Sequence, residues 1–170
     1  MTAGGRRAAI LAALRGANQP MSAGALAELC GVSRQIIVGD VALLRASGEA
    51  ITATPRGYVL AAGDDGLTRT VACRHDAAGT ERELNIMVDN GCTVLDVTVE
   101  HPVYGQLTGA LDLRSRYDVA QFILRSANTA PLSSLTEGIH LHRLQCPDEA
   151  AFARVKRELD EAGLLLPEQE

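Results

Sequence analysis

A short run of small and acidic residues, AAGDDG at positions 61–66, most constrains how this chain can fold. Such a run offers no side chain large enough for a hydrophobic core, and its two glycines favour a turn or a linker. With 170 residues the chain is long enough for one large domain or for two small ones. We therefore expect two domains, one over residues 1–62 and one over residues 67–170.

The distribution of charge favours the same division. The first 62 residues contain six arginines and only three acidic residues, whereas the whole chain has a net charge of −5. The basic half and the acidic half are therefore expected to have different partners.

The cysteines and the apolar runs indicate a cytoplasmic protein. None of the four cysteines forms a C-x-x-C pair, so we expect reduced thiols, most of them small apolar fillers. No apolar run approaches the roughly 20 residues that span a bilayer, and the N-terminus does not have the pattern of a signal peptide. No membrane association is predicted.

The first sixty residues have the pattern of a helix-turn-helix. A helix is predicted over residues 6–15, and a second begins after Ser22 and ends at Gly31. Ser33 is a good N-cap for a third helix, whose apolar residues at helical spacing form a core stripe (Ile37, Val41 and Leu44). Two short helices joined by a glycine-containing turn are typical of DNA-binding domains.

A β-hairpin is predicted directly after this unit. Residues 50–53 and 58–60 flank the turn TPRG, with proline second and glycine fourth. A hairpin after a recognition helix is a wing, and its tip is placed to meet a phosphate or the minor groove. The candidate contacts with a double-stranded DNA operator are the outward residues of the third helix and the wing tip (Ser33, Arg34, Gln35, Val38 and Arg56).

The alternative is a three-helix unit that binds only protein. The exposed Ser-Arg-Gln triplet and the arginine at the wing tip favour DNA. Because the third helix has few cations, high affinity needs two copies on one DNA, and we therefore expect a homodimer.

The second domain is predicted to belong to the mixed α/β (α+β) class. Strands are expected over residues 67–75, 93–100, 106–113 and 138–145, and helices over 80–90, 118–127 and 148–162. The order β-α-β-β-α-β-α implies helices packed on one face of a mainly antiparallel sheet. No phosphate-binding loop and no known nucleophile or metalloprotease motif occurs.

All four histidines lie in this second domain. His140 and His142 are two residues apart in a strand and so project from one face. His75 ends the first strand of the domain, and Glu83 lies in the first turn of the next helix, which places it near them if the helix folds back. Three imidazoles and a carboxylate suit a divalent transition metal such as zinc, nickel or iron. On spacing alone, a solvent-facing His-x-His pair is an equal alternative.

Several longer motifs resemble the niacin-responsive transcriptional repressors. They are GVSRQIIV (31–38), ATPRGY (53–58), VDNG (88–91), EHPVYG (100–105) and PLSSLTEGIHLH (131–142). Members of that family join a winged helix-turn-helix to a three-histidine (3H) domain, and the resemblance covers nearly the whole chain. It implies that the second domain is similar to the histidine-containing phosphocarrier fold, binds a divalent metal, dimerises and senses nicotinic acid.

The resemblance also assigns roles to single residues. It implies that the metal is bound by His75, Glu83, His140 and His142. It places His101 near the ligand or as a group that orients a metal ligand, and Tyr104 belongs to the same motif. Arg114 and Arg116 are candidate partners for the carboxylate of nicotinic acid. One departure is Gly39, where relatives tend to have a longer polar residue.

The sequence thus predicts a homodimeric repressor of genes for NAD synthesis or niacin uptake, with nicotinic acid as corepressor and no enzymatic activity. The alternative is a metal-dependent hydrolase attached to a DNA-binding module, because three protein ligands and an open position would serve such chemistry. A biotin-ligase-type repressor is disfavoured by the short second domain and the lack of a glycine-rich phosphate loop.

Overall fold

The computed structural model describes residues 1–61 and 66–167. Positions 62–65 of the predicted linker, and positions 168–170, lie outside the described residues. The chain divides into two compact units, Met1–Gly63 and Asp64–Glu170. None of the described helices is long and apolar enough to cross a membrane.

The first unit contains three helices and a β-hairpin, namely α1 (Ala3–Gly16), α2 (Ala23–Cys30), α3 (Arg34–Ala46), β1 (Ile51–Thr54) and β2 (Gly57–Leu60). Each helix is capped by a hydroxyl group of the preceding residue, which accepts a hydrogen bond from a backbone N–H of the first turn (Thr2, Ser22 and Ser33). Helix α2 ends at Gly31, whose φ of 65° is left-handed. The predicted helix-turn-helix is confirmed.

The core stripe of α3 holds this unit together. Ile37 is fully buried, and Val41 and Leu44 are 2% and 6% exposed. They pack with Ile10 of α1 and Leu26 of α2 in one cluster. Because the segment IIVG is a poor helix former, this tertiary packing rather than intrinsic propensity stabilises α3.

The predicted hairpin closes as its turn sequence requires. Thr54 pairs with Gly57 across a turn made of Pro55 and Arg56. Gly57 has a φ of 135°, and a Cβ there would lie 2.4 Å from the carbonyl oxygen of Met21. Glycine is therefore needed at the point where the hairpin contacts the start of α2.

The second unit follows the predicted order of strands and helices. The strands are β3 (Leu67–Arg74), β4 (Thr93–His101), β5 (Gly105–Leu113) and β6 (Ile139–Cys146), and the helices are α4 (Thr80–Asp89), α5 (Arg116–Ser126) and α6 (Glu149–Glu161). Two 3₁₀ turns that the sequence did not predict occur at Ala77–Gly79 and Leu132–Thr136. All strand pairs are antiparallel, in the order β3-β6-β4-β5.

The inner face of this sheet is covered by the helices. The core joins Val71 and Leu144 of the sheet to Leu84 and Val155 of the helices. On β6 the residues alternate, so that His140 and His142 are buried, whereas Ile139 and Leu141 lie on the other face at 39% and 40% exposure. Since β6 lies between β3 and β4, the two histidines lie under α4, in the interior of the unit.

Candidate metal centre and nucleic-acid interface

Three imidazoles converge on one buried carboxylate. Glu83 of α4 is 1% exposed and reaches down to the sheet. Nε2 of His140 lies 2.8 Å from Glu83 Oε1, while Nε2 of His75 and Nε2 of His142 lie 2.7 and 3.4 Å from Glu83 Oε2. The structure thus brings together all four residues that the sequence proposed as metal ligands. Metal binding itself stays a prediction.

The other nitrogen of each ring lies against a backbone carbonyl. Nδ1 of His75 is 2.6 Å from the oxygen of Asp76, Nδ1 of His140 is 2.8 Å from that of Gly138, and Nδ1 of His142 is 2.8 Å from that of Asp96. A carbonyl oxygen only accepts, so each Nδ1 must donate. In every neutral ring the lone pair therefore belongs to Nε2, the atom that faces the centre of the cluster.

A bulge in β4 supplies one of these carbonyls. The register between β4 and its neighbours shifts between Val94 and Asp96. Beside the bulge, the Asp96 carboxylate accepts a 2.6 Å hydrogen bond from Nε of Arg143, and the Asp96 carbonyl meets His142. Bulges commonly redirect groups toward a site. Here the bulge is beside the carbonyl that orients a candidate ligand.

The cluster is electrostatically coupled. Burial alone would raise the pKa of Glu83, but the imidazoles of His142, His140 and His75 outweigh it and hold that pKa well below its ordinary range. Burial also opposes a charged ring, yet the Glu83 carboxylate raises the pKa of His75 and of His142 above the ordinary value. The Glu83 carboxylate and the imidazoles of His75 and His142 therefore each favour the charged form of the other.

The donor set fits a divalent transition ion. Nε2 of His75, on a side chain only 7% exposed, faces the Glu83 carboxylate at 2.7 Å. Imidazole nitrogens whose opposite N–H is held by a carbonyl, beside a carboxylate, are the usual environment of zinc and nickel ligands.

The sequence did not single out two residues that shape this site. Cys73 is fully buried, and its sulfur, a Glu83 oxygen and a His140 nitrogen all lie within 4.8 Å of one another. Gly79 lies against the ring of His75, where a Cβ would come 2.8 Å from Nδ1. Cys73-x-His75 has the same spacing as His140-x-His142, and this is the signal that could have pointed to Cys73.

His101 and Tyr104 belong to the hairpin between β4 and β5. Nδ1 of His101 accepts hydrogen bonds from the backbone N–H groups of Val103 and Tyr104 at 3.1 and 3.2 Å. The two rings are 5.0 Å apart, and Tyr104 is 75% exposed. Among the described residues, His101 makes no hydrogen bond to the Glu83 cluster, so a role near the ligand stays a prediction.

Arg114 and Arg116 are already paired with carboxylates. Nε of Arg114 lies 3.1 Å from Asp112, and Arg116 forms a two-point ion pair with Asp89 at 2.6 and 2.7 Å. Arg116 lines a polar cleft of about 450 Å³ beside α4, and Arg114 is not among the described residues that line it. A contact between either arginine and the effector stays a prediction.

The proposed DNA contacts on α3 share one exposed face. Ser33 caps the helix, and Arg34, Gln35 and Val38 are exposed beside it, as is Gly39. The one carboxylate of this helix is turned away, because Asp40 is 4% exposed and is bound by Arg6 and Arg7 of α1. That pairing removes a negative charge from a surface intended for phosphates.

Arg56 lies at the tip of the hairpin but does not project freely. Its Nη1 lies 3.2 Å from Oε1 of Gln19, in the loop between α1 and α2. A contact between this arginine and DNA therefore requires that it exchange or share the Gln19 hydrogen bond.

Comparisons with known proteins match the two parts of the chain to two different domain families. Residues 6–59 match a helix-turn-helix domain family, and residues 68–168 match the 3H domain family. The chain is 44% identical over 165 residues to the "Probable transcription repressor NiaR" of Thermotoga maritima, covering 96% of this chain and 94% of that protein. It is also 44% identical over 167 residues to "Transcription repressor NadR" of Bacillus subtilis, covering 95% and 93%. The chain therefore belongs to the family of DNA-binding transcription repressors that join a helix-turn-helix domain to a 3H domain.

Proposed function

We propose that this repressor is a cytoplasmic homodimer that controls genes for NAD synthesis or niacin uptake and uses nicotinic acid as its corepressor. Residues 1–62 bind the operator, and residues 67–170 bind the effector and a divalent metal. The observation that carries the proposal is the buried cluster of three imidazoles around Glu83 in a 3H domain attached to a helix-turn-helix. Membership of a repressor family favours this function over the hydrolase alternative.

The metal would be held by His75, Glu83, His140 and His142. A bound zinc, nickel or iron ion supplies a Lewis-acidic centre that can take the pyridine nitrogen or the carboxylate of nicotinic acid. The carbonyl bonds at Nδ1 hold the three rings ready for this, since they leave each Nε2 to bind a cation. His101, Tyr104, Arg114 and Arg116 remain candidate contacts for the effector.

The effector acts only if it binds one state of the dimer better than the other. Nicotinic acid must prefer the dimer whose two recognition helices fit successive major grooves. Couplings of this kind typically amount to about 1–3 kcal/mol, or roughly 5- to 150-fold in operator affinity. A corepressor effect in that range is what we expect.

An electrophoretic mobility shift with the promoter of a niacin-uptake or NAD-synthesis gene tests the regulatory proposal. Metal-loaded protein should bind more tightly with nicotinic acid, whereas nicotinamide, the matched uncharged analogue, should have a weaker effect. A random duplex of equal length is the control for non-specific binding. Operator affinity that is identical with and without nicotinic acid would reject the corepressor role.

Metal content tests the site. Purified protein should contain close to one divalent ion per chain, and replacing both His140 and His142 with alanine should abolish it. The matched control replaces Ile139 and Leu141, which lie on the same strand but on the opposite face. Equal metal content in the histidine and control variants would show that the ion, if present, is bound elsewhere.

A further inference from the structure

The pairing of β3 with β6 places a thiol among the proposed metal ligands. Cys73 lies directly opposite His140 in the antiparallel register, and Val71 lies opposite His142. His75 follows β3 directly, and its Nε2 lies 2.7 Å from Glu83 Oε2. The paired strands and the residue after β3 thus bring a sulfur and three imidazoles to Glu83.

The distances suit one ion with little movement. The sulfur of Cys73, an oxygen of Glu83 and a nitrogen of His140 all lie within 4.8 Å of one another. Ligand atoms that bind one ion tetrahedrally at about 2.0–2.3 Å lie roughly 3.3–3.8 Å apart. A movement of up to about one ångström, within the reach of a change in χ1 of a cysteine, therefore brings the sulfur to a distance at which it can bind the ion.

A second observation indicates that this pocket is built for a cation. Nε2 of His75, on a side chain 7% exposed, lies 2.7 Å from the same carboxylate, so a further imidazole nitrogen faces the point where a cation would bind. Cys73 is fully buried, and although it belongs to the hydrophobic core cluster, its sulfur also lies beside the Glu83 carboxylate and the His140 imidazole. A cysteine that serves only as an apolar filler does not need such polar neighbours.

We propose that Cys73 is a sulfur ligand of the metal at this site. The proposal rests on the proposed metal site and goes beyond it, since it adds a soft donor to a set of nitrogen and oxygen donors. On binding, the Cys73 S–H bond breaks, its proton leaves to solvent, and the thiolate forms a bond to the divalent cation without any change in oxidation state. A thiolate biases the site toward zinc, cobalt or nickel over magnesium or manganese.

Cobalt(II) is the probe, because a cobalt–thiolate bond gives a charge-transfer absorption in the near ultraviolet. Full-length protein is stripped with a chelator, loaded with Co²⁺ and compared with the variants Cys73→Ser and Cys73→Ala. The matched control is Cys146→Ala, since the sulfurs of Cys146 and Cys92 lie 2.7 Å apart and offer a second pair of soft donors.

The charge-transfer band should be present in the wild type and in Cys146→Ala, and absent from both Cys73 variants. The visible d–d bands should persist in the Cys73 variants, with affinity for Co²⁺ reduced by about tenfold or more. X-ray absorption of the wild type should show one sulfur at about 2.3 Å from the metal, which tests the idea even if neither Cys73 variant folds.

Three results overturn the inference in distinguishable ways. Visible bands without a charge-transfer band in the wild type would leave the metal site intact and remove Cys73 from it. A charge-transfer band that survives in both Cys73 variants would assign the sulfur to another cysteine. The absence of any cobalt spectrum in the wild type would reject the proposed metal site and Cys73 with it.

Discussion

Replacing Gly79 with alanine should weaken metal binding without weakening the fold. The new Cβ would lie 2.8 Å from Nδ1 and 2.9 Å from Cγ of His75, whereas ordinary contacts begin near 3.4 Å. It would also lie 3.0 Å from Cδ2 of the buried Leu164, whose side chain must shift by a few tenths of an ångström. The ring must therefore retreat by about 0.6 Å, about three times the roughly 0.2 Å tolerance of a metal–ligand distance. Displacing the group that orients a ligand typically costs 10- to 100-fold in metal affinity, or about 1.4–2.7 kcal/mol.

The backbone at Gly79 does not itself require glycine. Its φ of −81° and ψ of −11° are open to any residue, so the substitution should by itself stabilise the chain by about 0.4–1 kcal/mol. That gain offsets part of the steric cost, and the metal-free variant should melt close to the wild type. Lower metal affinity with nearly unchanged stability would indicate that the His75 ring, rather than the core around Leu164, takes up most of the clash.

Competition titration with a chromophoric chelator measures the affinity for the metal, and thermal unfolding of metal-free protein measures the stability of the fold. Gly109→Ala is the matched control, because its Cβ would meet Leu132 and Val97 at an ordinary 3.6 Å. Wild-type metal affinity in Gly79→Ala would refute the reasoning, since it would mean that the position of the His75 ring does not matter to the ion.

Three further predictions concern the other surfaces and the ion pairs. Arg34→Ala should cost on the order of 1–3 kcal/mol in operator binding and relax specificity at one base pair, while Arg56→Ala should weaken binding to all sequences and reduce the salt dependence of the affinity. If mobility shifts at several salt concentrations give wild-type affinity for both variants, the DNA-binding surface lies elsewhere. An isolated second domain, residues 66–170, should remain dimeric in sedimentation, and a monomer at micromolar concentration would place the dimer contact elsewhere. The hydrogen bond from Arg6 lowers the pKa of Asp40 below the ordinary 3.8, so this pair stabilises the first unit above that pH, and the stabilisation is lost as the pH falls through the lowered value. Between pH 6 and 3, the free energy of unfolding measured by chemical denaturation should therefore fall less steeply with pH in Asp40→Asn than in the wild type. An equal pH dependence in the two proteins would contradict the assignment.

The boundaries of most elements could be predicted because their end signals are local. Ser22 and Ser33 cap helices as expected, Gly31 ends α2, and the Pro-Arg turn closes the hairpin. The two 3₁₀ turns escaped prediction, because a single turn of helix leaves no periodic pattern in the sequence. The position of β6 between β3 and β4 also could not be read from periodicity, since strand order depends on contacts far apart in the chain.

The candidate site was predictable only in part, because it too depends on contacts between residues far apart in the chain. His140 and His142 could be placed on one face from their spacing alone, and Glu83 lies beside them as its position in the first turn of a helix folded over the sheet predicted. Cys73 was not recognised because its relation to His140 depends on the register between β3 and β6. The contacts with the effector were the hardest to predict from the sequence, because no sequence pattern shows that Arg114 and Arg116 have carboxylate partners nearby.

The orientation of the three rings links metal binding to the folding of the second unit. Each Nδ1 is held by a carbonyl from a different segment, namely Asp76 after β3, Asp96 beside the bulge and Gly138 before β6. These carbonyls take up their positions only when the sheet has formed, so an unfolded chain offers the same imidazoles without their common direction. An ion that binds the folded unit more tightly than the unfolded chain stabilises it by mass action. A small-molecule ligand that binds this ion in the folded unit would therefore also increase the stability of the sheet.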